Sequence, residues 1–77
     1  MKELLEFIVK ELVEKPDLVK IESKDDGKCT TYFVTVDSSD IGKVIGKNGR
    51  IANSIRTLIR SVAKAKNKYC VIKINDK

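Results

Sequence analysis

The residues most able to do chemistry lie in one glycine-rich segment, residues 42–49, with the sequence Gly-Lys-Val-Ile-Gly-Lys-Asn-Gly. Glycine lets the backbone turn sharply and leaves no Cβ to block a close approach. The free amides at the start of a following helix, with its positive dipole end, attract anions. The segment therefore predicts an anion site, at which Lys47 and Arg50 add positive charge and Asn48 donates a hydrogen bond.

The glycine spacing excludes two familiar phosphate-binding loops. A P-loop needs four residues between its first glycine and the Gly-Lys-Ser/Thr, but three residues separate Gly42 from Gly46, and Asn48 replaces the hydroxyl residue. The GxGxxG spacing of a dinucleotide-binding site is also absent from this segment. What remains is residues 46–49 as a link between two helices. A plain helix–helix turn, for which Gly and Asn would also serve, stays open on spacing alone.

The rest of the sequence favours no catalytic or metal-binding constellation. The chain has no histidine, which removes the commonest general base and the commonest zinc ligand. Cys29 and Cys70 lie in strand-like segments, where thiols are usually buried and inert. Ser38, Ser39 and Asp40 are better explained as helix caps than as a nucleophile set without a base. We therefore expect a protein that is not an enzyme and that uses no metal and no cofactor.

Charge is distributed unevenly along the chain. Residues 1–26 carry five lysines against eight acidic residues, a net −3, whereas residues 27–77 carry eleven basic residues against three aspartates, a net +8. Residues 41–68 contain eight basic residues and no acidic one. A stretch of one sign and this length predicts a polyanionic partner. A basic face that serves solubility alone remains the alternative.

Length and composition indicate one globular domain over residues 1–77. The chain is 42% hydrophobic and 35% charged, which is ordinary for a soluble protein. No apolar run approaches the roughly 20 residues of a membrane span, and the first residues do not resemble a signal peptide. We therefore expect no membrane partner and a cytoplasmic location.

Hydrophobic periodicity predicts the elements on the N-terminal side of the glycine-rich segment. Apolar residues at a spacing of 3.6 predict an amphipathic helix over residues 2–15, which Pro16 ends. A short strand covers residues 19–22, where apolar and charged residues alternate, and a second strand covers residues 29–36, which are almost all β-branched or aromatic. The sequence Asp-Asp-Gly at 25–27 predicts the turn between them.

The elements on the C-terminal side complete the fold. Residues 37–40 offer several N-caps for a short helix that begins at Ile41, and a long helix covers about residues 50–66. Asn67 is a candidate left-handed cap, and a last strand covers residues 69–75. The predicted class is α+β, with the order α-β-β-α-α-β and a three-stranded sheet that has its helices packed on one face.

The long helix is predicted to be amphipathic. Its apolar stripe consists of Ile51, Ile55, Leu58, Ile59 and Val62. Its opposite side carries Asn53, Arg56, Arg60 and Lys64. This side either widens the basic field or is a solvated face. On the first helix, Phe7 falls on the charged side, where it either folds over the end of the core or contacts another chain.

The sequence Ile-Gly-Lys-Asn-Gly-Arg-Ile at residues 45–51, between a short capped helix and a long basic helix, resembles the signature of K-homology (KH) RNA-binding domains. The strands on either side complete the minimal β-α-α-β core of these domains, and the additional N-terminal helix and strand match their type II order. Residues 40–52 are similar to the KhpA family of small stand-alone bacterial KH proteins. The resemblance extends over the whole chain and implies a single type II KH domain with its GxxG loop at 46–49.

The resemblance also implies a binding site, since the GxxG loop of a KH domain clamps the backbone of about four single-stranded nucleotides. The residues that it implicates in RNA binding are Gly46, Lys47, Asn48, Gly49, Arg50, Lys43, Val44 and Ile45. The glycines would allow the close approach, and the polar residues would hold phosphates. Val44, Ile45 and Ile51 are candidates for the floor of a base-binding groove, although ordinary core packing is an alternative for all three and is favoured for Ile51. Weaker RNA-binding candidates are Asn53, Arg56 and Arg60.

The resemblance implies a non-catalytic single-stranded RNA-binding protein, an RNA chaperone or post-transcriptional regulator that acts as a dimer. Proteins of this kind are expected to form homodimers and to pair with a larger KH-containing protein. The alternative is a protein-interaction subunit in which RNA contact is secondary. A helix-turn-helix that binds double-stranded DNA is less favoured, because the first of the two helices is too short to brace a recognition helix.

Overall fold

The computed structural model describes residues 1–76, and the side chains of residues 1–75. Its helices and strands, in chain order, are α1 (Lys2–Leu12), β1 (Lys20–Asp25), β2 (Cys29–Val36), α2 (Ile41–Ile45), α3 (Arg50–Ala65) and β3 (Tyr69–Asp76). Short 3₁₀ turns cover Pro16–Leu18, Ser38–Asp40 and Lys47–Gly49. The predicted α+β class and the order α-β-β-α-α-β are confirmed. Within this part of the chain, no helix has the length and apolar character needed to cross a membrane.

The three strands form one mixed sheet in the order β1-β2-β3. β1 is antiparallel to β2, with Ile21 opposite Val34, and β3 is parallel to β2, with Ile72 opposite Tyr32. A parallel pair cannot be joined by a tight hairpin and needs a crossover connection, which is usually helical. Here the crossover consists of α2, the GxxG turn and α3. The sheet topology therefore fixes the two helices that hold the glycine-rich loop.

The core lies between the helices and one face of the sheet. Along β2, Thr30, Tyr32, Val34 and Val36 are buried, whereas the alternate residues are only half-buried. This is the alternation that the sequence predicts for a strand with one face on the core. The buried hydrophobic side chains come from every helix and strand, and the largest of those with almost no exposed surface are Leu5, Val9, Val34, Val36, Val44 and Ile59.

Helix α3 faces the core with a stripe that is rotated from the predicted one. Its buried residues are Ala52, Ile55, Ile59 and Ala63. Leu58, predicted to be in the apolar stripe, is 47% exposed. The small alanines allow α3 to lie close to the sheet, and this rotation turns Leu58 toward solvent.

Helix α1 ends at Leu12, three residues before the predicted end. Val13 takes an extended conformation with φ −99° and ψ 158°, and its side chain joins the core. The next two amides, of Glu14 and Lys15, donate hydrogen bonds to the two carboxylate oxygens of Asp40 at 3.2 and 3.0 Å. Asp40 thus accepts the hydrogen bonds that these amides would otherwise donate within a longer α1.

Candidate nucleic-acid interface

The GxxG loop is a tight turn built from three residues with positive φ. Helix α2 ends where Gly46 adopts φ 76° and ψ 176°, and Asn48 (φ 57°) and Gly49 (φ 76°) are both left-handed. The amide of Gly46 donates to the carbonyl of Gly42 at 2.8 Å, and the amide of Gly49 donates to the carbonyl of Gly46 at 3.2 Å. Asn is one of the few side chains that enters this region readily. Backbone geometry therefore accounts for the residue types at three of the four loop positions.

The two loop glycines differ in what surrounds them. A Cβ added to Gly46 would lie 2.6 Å from Cγ1 of Ile51 and 2.9 Å from its Cβ and Cδ1. A Cβ added to Gly49 would have only Nδ2 of Asn53 near it, at 3.8 Å. The missing side chain of Gly46 is therefore required by packing inside the protein. Gly49 leaves open space in which a ligand could approach the backbone.

The loop presents positive charge and hydrogen-bond donors to solvent. Lys47, Asn48 and Arg50 are all exposed, and Arg50 begins the 16-residue helix α3. The first amides of a helix have no partner within it, and the aligned peptide dipoles make this end positive. The sequence between residues 41 and 75 contains no carboxylate side chain. The arrangement is suited to binding an anion through backbone amides and mobile cations together.

The side chain of Lys43, on α2, contacts two carboxylates. Its Nζ lies 2.7 Å from Oε1 of Glu14 and 3.8 Å from Oδ1 of Asp40. Asp40 is 1% exposed, and a carboxylate buried to that extent needs hydrogen bonds and a counter-charge. Lys43 supplies that charge. This ion pair joins α2 to the end of α1, and the Lys43 side chain remains 41% exposed, so its place beside the RNA path stays a prediction.

The apolar residues of α2 divide between core and surface. Val44 is fully buried and belongs to the hydrophobic core, so the expectation that it contributes to a base-binding floor is wrong. A side chain with no exposed surface cannot contact a base. Ile45, directly before Gly46, is half-buried and retains an accessible face. Ile51 packs against the core, as the sequence favours.

The polar side of α3 lies along the edge strand β3. Nε of Arg56 donates to the backbone carbonyl of Ile72 at 3.4 Å, and its Nη1 donates to Oδ1 of Asn53 at 3.3 Å. Arg56 thus bridges α3 and β3, and it brings Asn53 into the same group of polar side chains. We use the name α3–β3 trough for the strip between Asn53, Arg56, Arg60 and Lys64 on one side and β3 on the other.

The α3–β3 trough ends in an open pocket that sequence reasoning missed. The pocket has a volume of about 710 Å³ and is lined by Arg60, Lys64, Asn67, Lys68, Tyr69 and Cys70. Tyr69 is 77% exposed. The signal in the sequence is an aromatic residue next to Lys-Asn-Lys in a basic stretch, a combination typical of surfaces that bind single-stranded nucleic acids. Burial raises the pKa of the Cys70 thiol, which keeps it protonated at neutral pH and unsuited to nucleophilic attack.

The model of the KhpA/KhpB KH-domain family matches residues 2–74 of the chain. The chain belongs to this family. The order of its elements, with an additional helix and strand before the β-α-α-β core, confirms the type II KH fold. The matched region contains the GxxG loop, both helices around it and the α3–β3 trough.

Three relatives of this KH domain extend over nearly the same length. A protein of Borreliella burgdorferi is 46% identical over 74 residues, which is 96% of this chain and 90% of the relative. One of Chlamydia trachomatis is 48% identical over 67 residues, 87% of this chain and 86% of its own. A third, of Clostridium perfringens, is 43% identical over 74 residues, 96% of this chain and 99% of its own. Each is named RNA-binding protein KhpA.

A separate apolar surface of this KH domain lies between α1 and α3. Its shallow groove is lined by Ile8, Leu12, Arg50, Ile51, Ser54, Ile55 and Leu58. Phe7, on α1, is 63% exposed, which is consistent with its place on the charged side of the helix. This α1–α3 groove is chemically unlike the α3–β3 trough, because it is almost wholly apolar.

Proposed function

We propose that this chain binds single-stranded RNA and that its GxxG loop holds the RNA backbone. The observation that carries the proposal is the exposed Lys47-Asn48 pair, set between two glycines of positive φ at the positive end of α3. The family of the chain and the names of its relatives support RNA as the polyanion. The proposal does not depend on charge alone, because the loop geometry offers backbone donors as well.

In this proposal the loop acts on the phosphates of about four nucleotides. The open side of Gly49 lets a phosphate approach the backbone, where amides at the start of the turn donate to it. Lys47 and Arg50 add charge-assisted contacts, and Asn48 donates a further hydrogen bond. Val44 is left out of the clamp because it is buried, whereas Lys43, whose exposed side chain also contacts Glu14, flanks the path of the RNA.

The bases would lie in the groove that Ile45 and the α3–β3 trough form next to the loop. Ile45 offers an apolar surface, and Asn53 and Arg56 offer polar groups close to β3. Arg60 lies further along α3 and extends the positive field. In this arrangement Ile45 makes apolar contacts with the bases, and Asn53 and Arg56 form hydrogen bonds with them.

The proposed role is non-catalytic, since the described binding surface needs no bond to be made or broken. Four nucleotides allow few contacts, so one domain binds and releases RNA readily, and two linked domains gain through effective concentration. Such reversible binding suits an RNA chaperone or a post-transcriptional regulator that acts as a dimer. We propose that the chain acts in one or both of these roles.

The test is fluorescence anisotropy of a short labelled single-stranded RNA with wild type and with the double variant Lys47→Asp/Asn48→Asp. Asp tolerates the left-handed conformation of position 48, so this variant retains both loop glycines and the turn. The control is Lys2→Asp/Lys24→Gln, which changes the net charge by the same three units on exposed sites of α1 and β1, outside the loop and its two helices. Circular dichroism establishes that each variant is folded.

We expect the loop variant to lose RNA binding and the control to retain most of it. Equal binding by the loop variant and the control would contradict the proposal, because the affinity would then follow net charge rather than the loop. Binding of double-stranded RNA as strongly as single-stranded RNA would contradict it as well.

A second candidate function, a protein-interaction subunit, is favoured by the α1–α3 groove. We take a second copy of the chain as its occupant, because α1 carries three glutamates against two lysines while α3 carries four basic residues and no acidic one, so two copies related by a two-fold axis can place α1 of one against α3 of the other. A larger KH-containing protein could dock in the same manner. Sedimentation of the Leu58→Asp variant separates the functions: loss of self-association with intact RNA binding assigns the groove to protein contact.

A further inference from the structure

The pocket at the end of the α3–β3 trough is continuous with the GxxG loop through a line of basic side chains. Arg56, Arg60 and Lys64 follow one another at about one-turn intervals along α3. Because β3 returns beside α3, Arg56 reaches Ile72, while Arg60 and Lys64 line a pocket with Tyr69. A strand of RNA that leaves the loop along this side of α3 therefore meets a cation at each turn of the helix.

The turn that forms the wall of the pocket is well fixed. The amide of Lys68 donates to the carbonyl of Ala63 at 2.9 Å, and the amide of Asn67 donates to the carbonyl of Lys64 at 3.0 Å. Asn67 takes the left-handed conformation, with φ 59°, that the sequence predicts for it as a helix cap. These bonds hold the backbone beneath Lys68 and Tyr69, so both side chains project from a defined position.

Tyr69 combines a fixed backbone with an open ring. Its amide donates to the carbonyl of Lys28 at 3.3 Å, and it pairs with Cys29 at the start of the parallel ladder. The next residue, Cys70, points into the core and is buried, whereas Tyr69 is 77% exposed. An accessible aromatic ring among lysines and an arginine is the pairing that single-stranded nucleic-acid surfaces use, since a base stacks on the ring and the cations hold its phosphates.

We propose that this pocket is a second subsite for single-stranded RNA, in which Tyr69 stacks on one base and Arg60, Lys64 and Lys68 hold the neighbouring phosphates. The inference rests on the proposed function, because the same RNA strand occupies the GxxG loop. From Arg50 to Lys64 the helix rises about 21 Å at 1.5 Å per residue. At the axial rise of fully stacked nucleotides, about 3.4 Å, that distance corresponds to at most about six nucleotides, and to fewer if the strand is extended. The RNA footprint is then longer than four nucleotides and reaches up to about ten.

The test compares oligouridylates of four and ten nucleotides by fluorescence anisotropy. A ten-nucleotide RNA offers seven registers for a four-nucleotide site, so a gain of up to roughly seven-fold over the shorter RNA is statistical. We expect a larger gain with wild type. Tyr69→Ala is expected to weaken binding of the ten-nucleotide RNA by about 5- to 100-fold and to leave binding of the four-nucleotide RNA unchanged. Tyr69→Phe retains the ring and is expected to behave as wild type.

Two further measurements locate the contact. Lys64→Gln/Lys68→Gln is expected to reduce the log–log salt slope for the ten-nucleotide RNA by about 1.4, at about 0.7 for each phosphate that is no longer neutralised. Ultraviolet crosslinking to the ten-nucleotide RNA, followed by trypsin digestion, is expected to place a nucleotide on the peptide of residues 69–73.

The outcomes distinguish this inference from the function on which it rests. If Tyr69→Ala binds the ten-nucleotide RNA like wild type, while Lys47→Asp/Asn48→Asp abolishes binding of both RNAs, the second subsite is wrong and the GxxG clamp stands. If wild type binds neither RNA, the proposed function fails and the subsite fails with it. A ten-nucleotide gain within the statistical factor also overturns the subsite.

Discussion

The substitution Gly46→Ala tests the most specific packing feature of the structure. The new Cβ would lie 2.6 Å from Cγ1 of Ile51, on a residue held at φ 76° and ψ 176°. A non-glycine residue in such a backbone region costs about 1–3 kcal/mol, and overpacking against a neighbouring side chain costs about 1–3 kcal/mol more. We therefore expect a loss of about 2–6 kcal/mol from a domain whose total stability is about 4–12 kcal/mol at this length.

Two glycines of the same segment serve as matched controls. Gly49→Ala meets only Asn53, at 3.8 Å, so its cost is that of the left-handed backbone, about 1–2 kcal/mol. Gly42 lies within α2 with nothing near its added Cβ, and Gly42→Ala is expected to be neutral or to stabilise by up to about 1 kcal/mol. The expected order of melting temperatures, from highest to lowest, is Gly42→Ala, then Gly49→Ala, then Gly46→Ala.

Thermal unfolding followed by circular dichroism, with guanidinium titration as a second measure, provides the assay. At about 4–8 °C per kcal/mol for a domain of this size, Gly46→Ala should lower Tm by at least about 8 °C. Adding Ile51→Ala removes the contacts with Cγ1 and Cδ1 but retains Cβ at 2.9 Å, so it should relieve part of the clash, with a coupling free energy of about 0.5–3 kcal/mol in the double-mutant cycle. Equal Tm values for Gly46→Ala and Gly49→Ala, or strict additivity with Ile51→Ala, would show that Ile51 does not set the cost at position 46.

Three further predictions follow from the same structure. RNA affinity should fall with salt at a log–log slope of about −2 to −3, for three or four phosphates at about 0.7 each, and a slope near zero would rule out the clamp. Asp40→Ala leaves the amides of Glu14 and Lys15 without their acceptors and should lower the free energy of unfolding in urea by about 2–4 kcal/mol. Asp40→Asn should recover part of that loss. An Asp40→Ala variant as stable as wild type would contradict the role of Asp40 as acceptor for these amides. Hydrogen bonds from Ser39 hold the pKa of Asp37 below its usual value, so the unfolded chain takes up the proton first as pH falls below about 4. Stability should therefore decline through that range, and less so in Asp37→Asn; parallel Tm profiles for the two proteins would contradict this contribution.

Local patterns were sufficient to predict the sheet and the long helix. β2 is identified by its run of β-branched and aromatic residues, and its alternation is that of a strand with one buried face. The GxxG loop is identified because positive φ restricts the residue types at Gly46, Asn48 and Gly49. In each case the structure is determined by interactions between residues close in the chain, so a local sequence pattern is enough to predict it.

What could not be predicted depends on contacts between distant parts of the chain. The end of α1 is decided by Asp40, about 25 residues later, which accepts the amides that a longer helix would have used. The same buried carboxylate lies 3.8 Å from the ammonium nitrogen of Lys43, a contact that the sequence did not predict. The rotation of α3 that exposes Leu58 depends on how closely its alanines approach the sheet. The pocket at Tyr69 exists only because β3 returns beside the end of α3.

The roles of the two loop glycines show why residue identity alone is ambiguous. The sequence leads us to expect that both allow close approach of RNA, yet Gly46 accommodates Ile51, while Gly49 faces open space. A loss of RNA binding in Gly46→Ala would therefore report damage to the fold as much as damage to the site. Variants at Lys47 and Asn48 are more informative, because the backbone geometry of the turn accepts them.

RNA binding by the GxxG loop is tested most directly by an NMR titration of the isotopically labelled protein with a four-nucleotide single-stranded RNA. We expect the largest chemical-shift changes at the backbone amides of residues 46–50, with smaller changes at Asn53 and Arg56. Resonances that line the α1–α3 groove, such as those of Ile8 and Leu58, should change little. Shifts confined to that groove, or spread evenly over the basic residues with none at the loop amides, would show that the GxxG loop does not hold the RNA.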